Sequence, residues 1–190
     1  LSNGRIGYIH VRGMGLVPYQ EAYGELFGRF RDSKAVIVDI RSNGGGNLHD
    51  QLITMLTGSN DSNLVSRDGN LIISNPIGRY ARPSVLLVNA SSYSDASVFP
   101  VLYKVKGLGP IVGERVPGTG TAVSTVVELE AGIHYTVPEL GFQLSDGRWF
   151  ENMEIEPDML VYNDPESVAT GRDLQLEKAV EQLMQKISAN

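Results

Sequence analysis

The sequence predicts an α/β domain assembled from βαβ units and closed by a C-terminal amphipathic helix. Three observations carry this. Two runs, KAVIVDI and PSVLLVNA, are apolar at nearly every position, as in strands covered on both faces. Helix-period stripes lie between such runs. The segment DLQLEKAVEQLMQKI gathers Leu176, Val180, Leu183, Met184 and Ile187 on one face.

Taken in order, RIGYIHV reads as a first strand from its β-branched and aromatic content. YQEAYGELFGRFRD follows with a helical stripe at Ala22, Leu26, Phe27 and Phe30, and KAVIVDI is the second strand. NLHDQLITMLTG reads as a short helix with Gly58 as its C-cap, completing a βαβ pattern. The polar stretch from Ser59 to Arg82 reads as an excursion with a hairpin at RDGN. PSVLLVNA is a third buried strand, leading to a helix that begins near Ser94. PIVGE is a fourth strand, TAVSTVVELEAGIHYTVPEL an antiparallel pair turning at Gly132, and DMLVY a late strand.

At 190 residues the chain suffices for one domain with its own core, covering 1–190. The opening LSNGRIGYIHV has no initiator Met and starts almost on a strand, which predicts a domain cut from a longer chain. A net charge of −6 without clustered Lys and Arg argues against a nucleic-acid partner. The absence of cysteine excludes disulfides, thiolate catalysis and Cys-ligated zinc, and leaves the compartment open. No apolar run reaches the roughly 18 residues of a membrane span.

Two segments could carry chemistry. DIRSNGGGN places three glycines after a buried strand. It is either a tight strand-to-helix turn or a backbone nest whose N–H groups face an anion, and spacing alone does not choose. It is neither a P-loop nor G-x-G-x-x-G. SSYSDASVF sets Ser94 before Asp95, a helix N-cap signature and, alone, better read as such. A serine there would also have its hydroxyl at the positive end of a helix, beside free amides. G-x-S-x-G is absent. Of the histidines that could serve as base, His10 falls in the first strand, His134 in the hairpin, and His49 near the glycines. In FENMEIEPD, Glu151 stands apart because it emerges directly from the apolar RWF. No H-E-x-x-H or metal-spaced carboxylate cluster occurs, so neither metal nor cofactor is expected.

These segments, in this order, resemble the protease domain of the S41 serine peptidases, the tricorn and C-terminal-processing family, with the tricorn branch closer. GRIGYIHVRGMG, AVIVDIRSNGGGN, SVLLVNASSYSDASVFP, GLGPIVGERVPGTG and WFENMEIEPDMLVYNDPESVATGRDLQLEKAV carry the likeness over nearly the whole chain. It implies a ClpP/crotonase-like sandwich, with Ser94 as nucleophile, the N–H groups of Gly46 and Asp95 as oxyanion hole, and Glu151 as the acidic member of a Ser-His-Ser-Glu tetrad. The processing peptidases use a lysine base, but Thr119 stands at that position in GERVPGTG. The tricorn histidine comes from a preceding helical subdomain, which this chain lacks, as it lacks the PDZ-like domain. The resemblance therefore implies a nucleophile-bearing part whose base lies elsewhere and which alone is inactive. The implied partner is a peptide or unfolded protein, with homo-oligomer formation left open. An extracytoplasmic, periplasmic site is expected ahead of a cytoplasmic one. Two alternatives are a non-catalytic module binding a peptide strand by β-augmentation and a crotonase-like acyl-CoA enzyme, which would not need the serine of SYSD.

Overall fold

The computed structural model describes residues 1–59, 61–75 and 77–189; the excursion expected over 59–82 thus includes two positions, Asn60 and Pro76, outside the described residues. Five strands form one parallel sheet: β1 (Ile6–His10), β2 (Ala35–Asp39), β5 (Ser84–Val88), β6 (Ile111–Gly113) and β9 (Met159–Leu160), in the order β1-β2-β5-β6-β9. Two antiparallel hairpins stand apart from it, β3 (Ser62–Val65) with β4 (Leu71–Asn75), and β7 (Ala122–Glu128) with β8 (Ile133–Leu140). They turn at the sites that Gly69 and Gly132 predict, both at positive φ.

The continuous apolar runs exist because the sheet is covered on both faces. Val36, Val38, Leu86 and Val88 point into one core with α2 (His49–Leu56) and α3 (Asp95–Val105). Their neighbours Ala35, Ile37, Val85 and Leu87 point the other way, against Ala179 and Leu183 of α5 (Leu174–Ser188). Period-two alternation thus divides one strand between two cores. The helix α1 (Leu16–Gly24) runs into a wider, π-helical turn over Glu25–Arg29, with Ala22 and Leu26 buried on the stripe read from sequence. A short α4 (Pro165–Ala169) precedes α5.

The C-terminal helix is anchored by a half-buried polar network. Arg41 bonds Asp39 (2.6 Å), Asp173 and Gln175, while the Tyr8 hydroxyl donates to Asp39 (2.7 Å). Asp173 also accepts the Leu176 N–H, capping α5. Burial, aided by the bond to Asp39, pushes the Tyr8 hydroxyl up to about 12.

One expected element detail is corrected. Gly58 is not a left-handed cap, since α2 ends through Thr57 at φ −90. Gly58 is required instead by a close approach: a side chain there would lie 2.6 Å from the Tyr80 carbonyl oxygen, and its N–H donates to that same oxygen. His10 is on β1 as expected, but its side chain is exposed.

Candidate functional site

Parallel strands send their carboxyl ends to one edge, where the connecting loops form a crevice. β2 and β5 are neighbours, so the glycine loop after β2 and the serine turn after β5 leave the sheet side by side. The bonds between them are specific. Tyr93 N–H donates to the Asn43 carbonyl (3.0 Å), the Ser92 hydroxyl to the Ile40 carbonyl (3.1 Å), and Ser42 N–H to Asn89 Oδ1 (2.8 Å). Asn43 is fully buried, and its amide donates to the Val11 carbonyl while its Oδ1 accepts Gly45 N–H.

The four serines separate cleanly. Ser92 and Ser97 are buried with their hydroxyls committed to carbonyls, Ser97 donating to Ser94 O at 2.7 Å. Ser91 is on an exposed turn. Ser94 precedes α3 at φ 53, ψ −124, a backbone region that a side-chain-bearing residue occupies only at a cost of about 1–3 kcal/mol. Although it occupies the N-cap position, its hydroxyl makes no capping bond. The cap signature read from sequence is therefore not what the serine does. Ser94 is half-buried, and among the described residues its hydroxyl has no partner. A strained strand-to-helix turn presenting a free hydroxyl is the arrangement of a nucleophile elbow, reached here without the G-x-S-x-G sequence.

The glycines are not interchangeable. Gly45 (φ +95) faces the serine: a Cβ there would lie 2.6 Å from Ser94 Cβ and 3.0 Å from Asp95 N. Gly46 (φ +147) lies against the chain after β1, where any side chain would overlap the Met14 carbonyl. Gly45 O accepts Met14 N–H, and Asn47 N–H donates to Met14 O. Peptide planarity sets N–H opposite C=O, so Gly46 N–H is turned away from Met14 N. Neither Gly46 N–H nor Asp95 N–H has an acceptor among the described residues.

The Asp95 side chain, 6% exposed, crosses to the start of α2. It accepts Leu48 N–H (2.6 Å) and His49 N–H (3.0 Å) and bonds His49 Nδ1. The bond to Asp95 raises His49 above its ordinary range against the opposing effect of burial. Burial would raise Asp95, but its bonds from His49 and Leu48 outweigh this and lower it. The His49 ring meets Phe142 edge-on at 5.6 Å, and it makes no hydrogen bond to Ser94.

Glu151 does not touch Ser94 either. Its Oε2 accepts Gly120 N–H, Thr121 N–H and the Thr121 hydroxyl (2.6 Å), and the hydroxyl bond lowers its pKa. It thereby fixes the loop that carries Thr119, whose Oγ1 accepts Ser94 N–H at 3.2 Å. Sequence reasoning treated Thr119 only as the residue at a lysine position; in space it supports the serine backbone. Gly45 and Asn43 were also missed as individuals, their one sequence signal being membership of the NGGG run. Beside Thr119 a cavity of about 410 Å³ is lined by Arg115, Pro117, Gly118, Asn152 and Glu154. The described residues include no cluster of three or more acidic or histidine side chains placed to hold a metal, and no helix among them is long and apolar enough to cross a membrane.

The chain is similar in sequence and in fold to known peptidases. The model of peptidase family S41 matches residues 5–161. Tricorn protease of Thermoplasma acidophilum is 30% identical over 98% of this chain, which spans 17% of that protein's length. Carboxy-terminal processing protease CtpA of Bacillus subtilis is 28% identical over 67% of the chain and 28% of its own length. The crystal structure of the tricorn protease superposes with a TM-score of 0.88 at 29% identity, over 98% of this chain and 18% of that one.

Proposed function

The chain belongs to peptidase family S41, in its tricorn-like branch with the ClpP/crotonase-like fold, and from that premise we propose that it is the nucleophile-bearing part of a serine peptidase acting by acyl transfer. The observation that carries the proposal is Ser94: on a strained turn packed against Gly45, its hydroxyl has no partner among the described residues, and the Asp95 and Gly46 amides have no acceptor among them.

Ser94 Oγ attacks the carbonyl carbon of a peptide bond and its proton passes to a base. The carbonyl oxygen, now an oxyanion, accepts from Asp95 N–H and Gly46 N–H. Collapse breaks the C–N bond, and the departing amine takes the proton from the base. An ester remains on Ser94; water attacks it with the same base accepting its proton, the acyl C–Oγ bond breaks as Ser94 Oγ takes that proton back from the base, and the acid product leaves. No histidine or lysine among the described residues hydrogen-bonds Ser94, and in this reading the base comes from outside them. Glu151 suits an acidic support for such a base, because its Oε1 has no partner among the described residues. The cavity beside Thr119 would receive a substrate side chain.

That no base is bonded to Ser94 among the described residues also fits a second reading, a module that holds a peptide without cleaving it. One assay separates the two: turnover of labelled casein by the full-length protein and by Ser94→Ala. Turnover that disappears in the variant supports the peptidase; peptide binding without turnover in either supports the module.

A further inference from the structure

The catalytic scheme above uses the Asp95 backbone and leaves its side chain unexplained. That side chain is buried, carries a charge, and sits between two elements that must be held in register. Leu48, at the N-cap position of α2, offers no side-chain cap, so the first amides of that helix need an acceptor from elsewhere. Asp95 supplies it from the first turn of α3, taking Leu48 N–H and His49 N–H on one oxygen. A carboxylate at helix N-termini is favoured by the dipole. Its second oxygen is held by the His49 ring.

The connection has a functional direction. Asp95 contributes one proposed oxyanion donor through its own N–H. The other, Gly46, lies two residues before Leu48. Gly46 is gripped on one side by the Met14 bridge, through Asn47 N–H on Met14 O at 2.8 Å. On the other side it is gripped through Leu48, by Asp95. One carboxylate therefore links the two segments that carry these amides, and its rotation is limited by the His49 donor. His49 is itself braced, its ring edge-on to Phe142, which meets Phe150 edge-on at 6.3 Å.

We propose that His49 is a positioning residue for the oxyanion hole: through its ring bond to Asp95 it keeps the Asp95 and Gly46 amides convergent, without contacting substrate. This rests on the reading of Ser94 as a peptidase nucleophile. The raised His49 and lowered Asp95 pKa values accord with a charged pair, the other charge bearing on His49 being Asp50 on its own helix.

Two variants separate the donor from the ring. His49→Phe keeps the contact with Phe142 and removes the donor; His49→Asn keeps a donor near the Nδ1 position and removes the ring. An oxyanion hole acts on the tetrahedral species and not on the bound substrate. In the full-length protein with labelled casein, His49→Phe should lower kcat about tenfold, the effect of one lost charge-assisted bond, with KM within about twofold. Affinity for the peptide aldehyde leupeptin, whose adduct carries the oxyanion, should weaken by the same factor, and His49→Asn should recover most of both. Unchanged kcat and unchanged leupeptin affinity in His49→Phe, with Ser94→Ala inactive, overturn the proposal. So does a loss that His49→Asn does not recover. If His49→Phe does not fold, His49→Asn against His49→Ala makes the same comparison. Full turnover in Ser94→Ala would instead fault the peptidase reading. Hydrogen exchange then still tests the clasp: the Leu48 amide should exchange slowly in the wild type and at least tenfold faster in a folded donor-less variant, and equal rates refute it.

Discussion

Replacing Gly45 by alanine tests the contact between the glycine loop and the serine. The new methyl would lie 2.6 Å from Ser94 Cβ, 2.8 Å from Tyr93 O and 3.0 Å from Asp95 N, where carbon contacts are comfortable at about 3.5–4.0 Å. Retreat is blocked, because Tyr93 N–H is bonded to Asn43 O and Asp95 is tied to α2. The φ of +95 adds a backbone penalty. An unfavourable left-handed residue costs about 1–2 kcal/mol and overpacking about 1–3, so a loss near 3 kcal/mol is expected. For a domain of this size that is a fall of about 6–12 °C in Tm. Gly44→Ala is the internal control: a Cβ there meets nothing within 4 Å and its φ is ordinary. Melting of the 190-residue chain reads the stability. The rate of inactivation of the full-length protein by a fluorophosphonate reads the serine, and a displacement near 1 Å should slow it about a hundredfold. A Gly45→Ala variant that melts with Gly44→Ala and reacts at the wild-type rate would refute the close packing of the glycine loop against Ser94.

Glu151→Gln should slow fluorophosphonate inactivation severalfold with little change in Tm, because the exposed carboxylate organises the 119–121 loop rather than the core; equal rates would reduce it to a surface residue. Asp39→Asn should lower stability by about 3 kcal/mol in a urea titration, since removing one member of a buried ion pair leaves Arg41 short of its main partner; a loss below about 1 kcal/mol would mean that Asp173 alone suffices. The His49–Asp95 pair gives a pH window. His49 titrates above its ordinary 6.5, so its contribution is whole below that value and fades as pH rises through the raised one. Asp95 titrates below its ordinary 3.8, so its contribution is whole above that value and fades as pH falls through the lowered one. The stability gap between wild type and His49→Phe should therefore be widest between about pH 4 and 6.5 and narrow as pH rises through the raised His49 value; a gap independent of pH would sink the charged-pair description.

The strands were legible because their environment is uniform. AVIVD and SVLLV are buried at every position, and burial on both faces leaves a pattern that no neighbour can reverse. Hairpin turns were legible through Gly69 and Gly132, whose positive φ is a local demand. Gly58 was misread because its reason is not local: it is the approach of Tyr80, from a segment that returns to α2 after the β3–β4 hairpin. The site divides in the same way. Ser94 and the glycine run could be found in the chain, but the pairing of Ser with Asp suggested a cap, and only the backbone angles separate a capping hydroxyl from a free one. The carboxylate of Asp95 acts 46 positions away, at His49, and Thr119 acts 25 away, at Ser94 N–H. Such contacts leave no periodicity in either segment, so the sequence pointed to the parts and the sheet order assembled them.

The central claim is that Ser94 is a nucleophile facing an oxyanion hole formed by Asp95 and Gly46. A crystal structure of the full-length protein after reaction with a fluorophosphonate tests it most directly, since the adduct replaces the tetrahedral intermediate with a stable phosphoryl group. The account predicts phosphorus bonded to Ser94 Oγ and a phosphoryl oxygen about 3 Å from both the Asp95 and Gly46 nitrogens. Phosphorus on Ser91, Ser92 or Ser97, or an oxygen on Ser94 directed away from both amides, would contradict it.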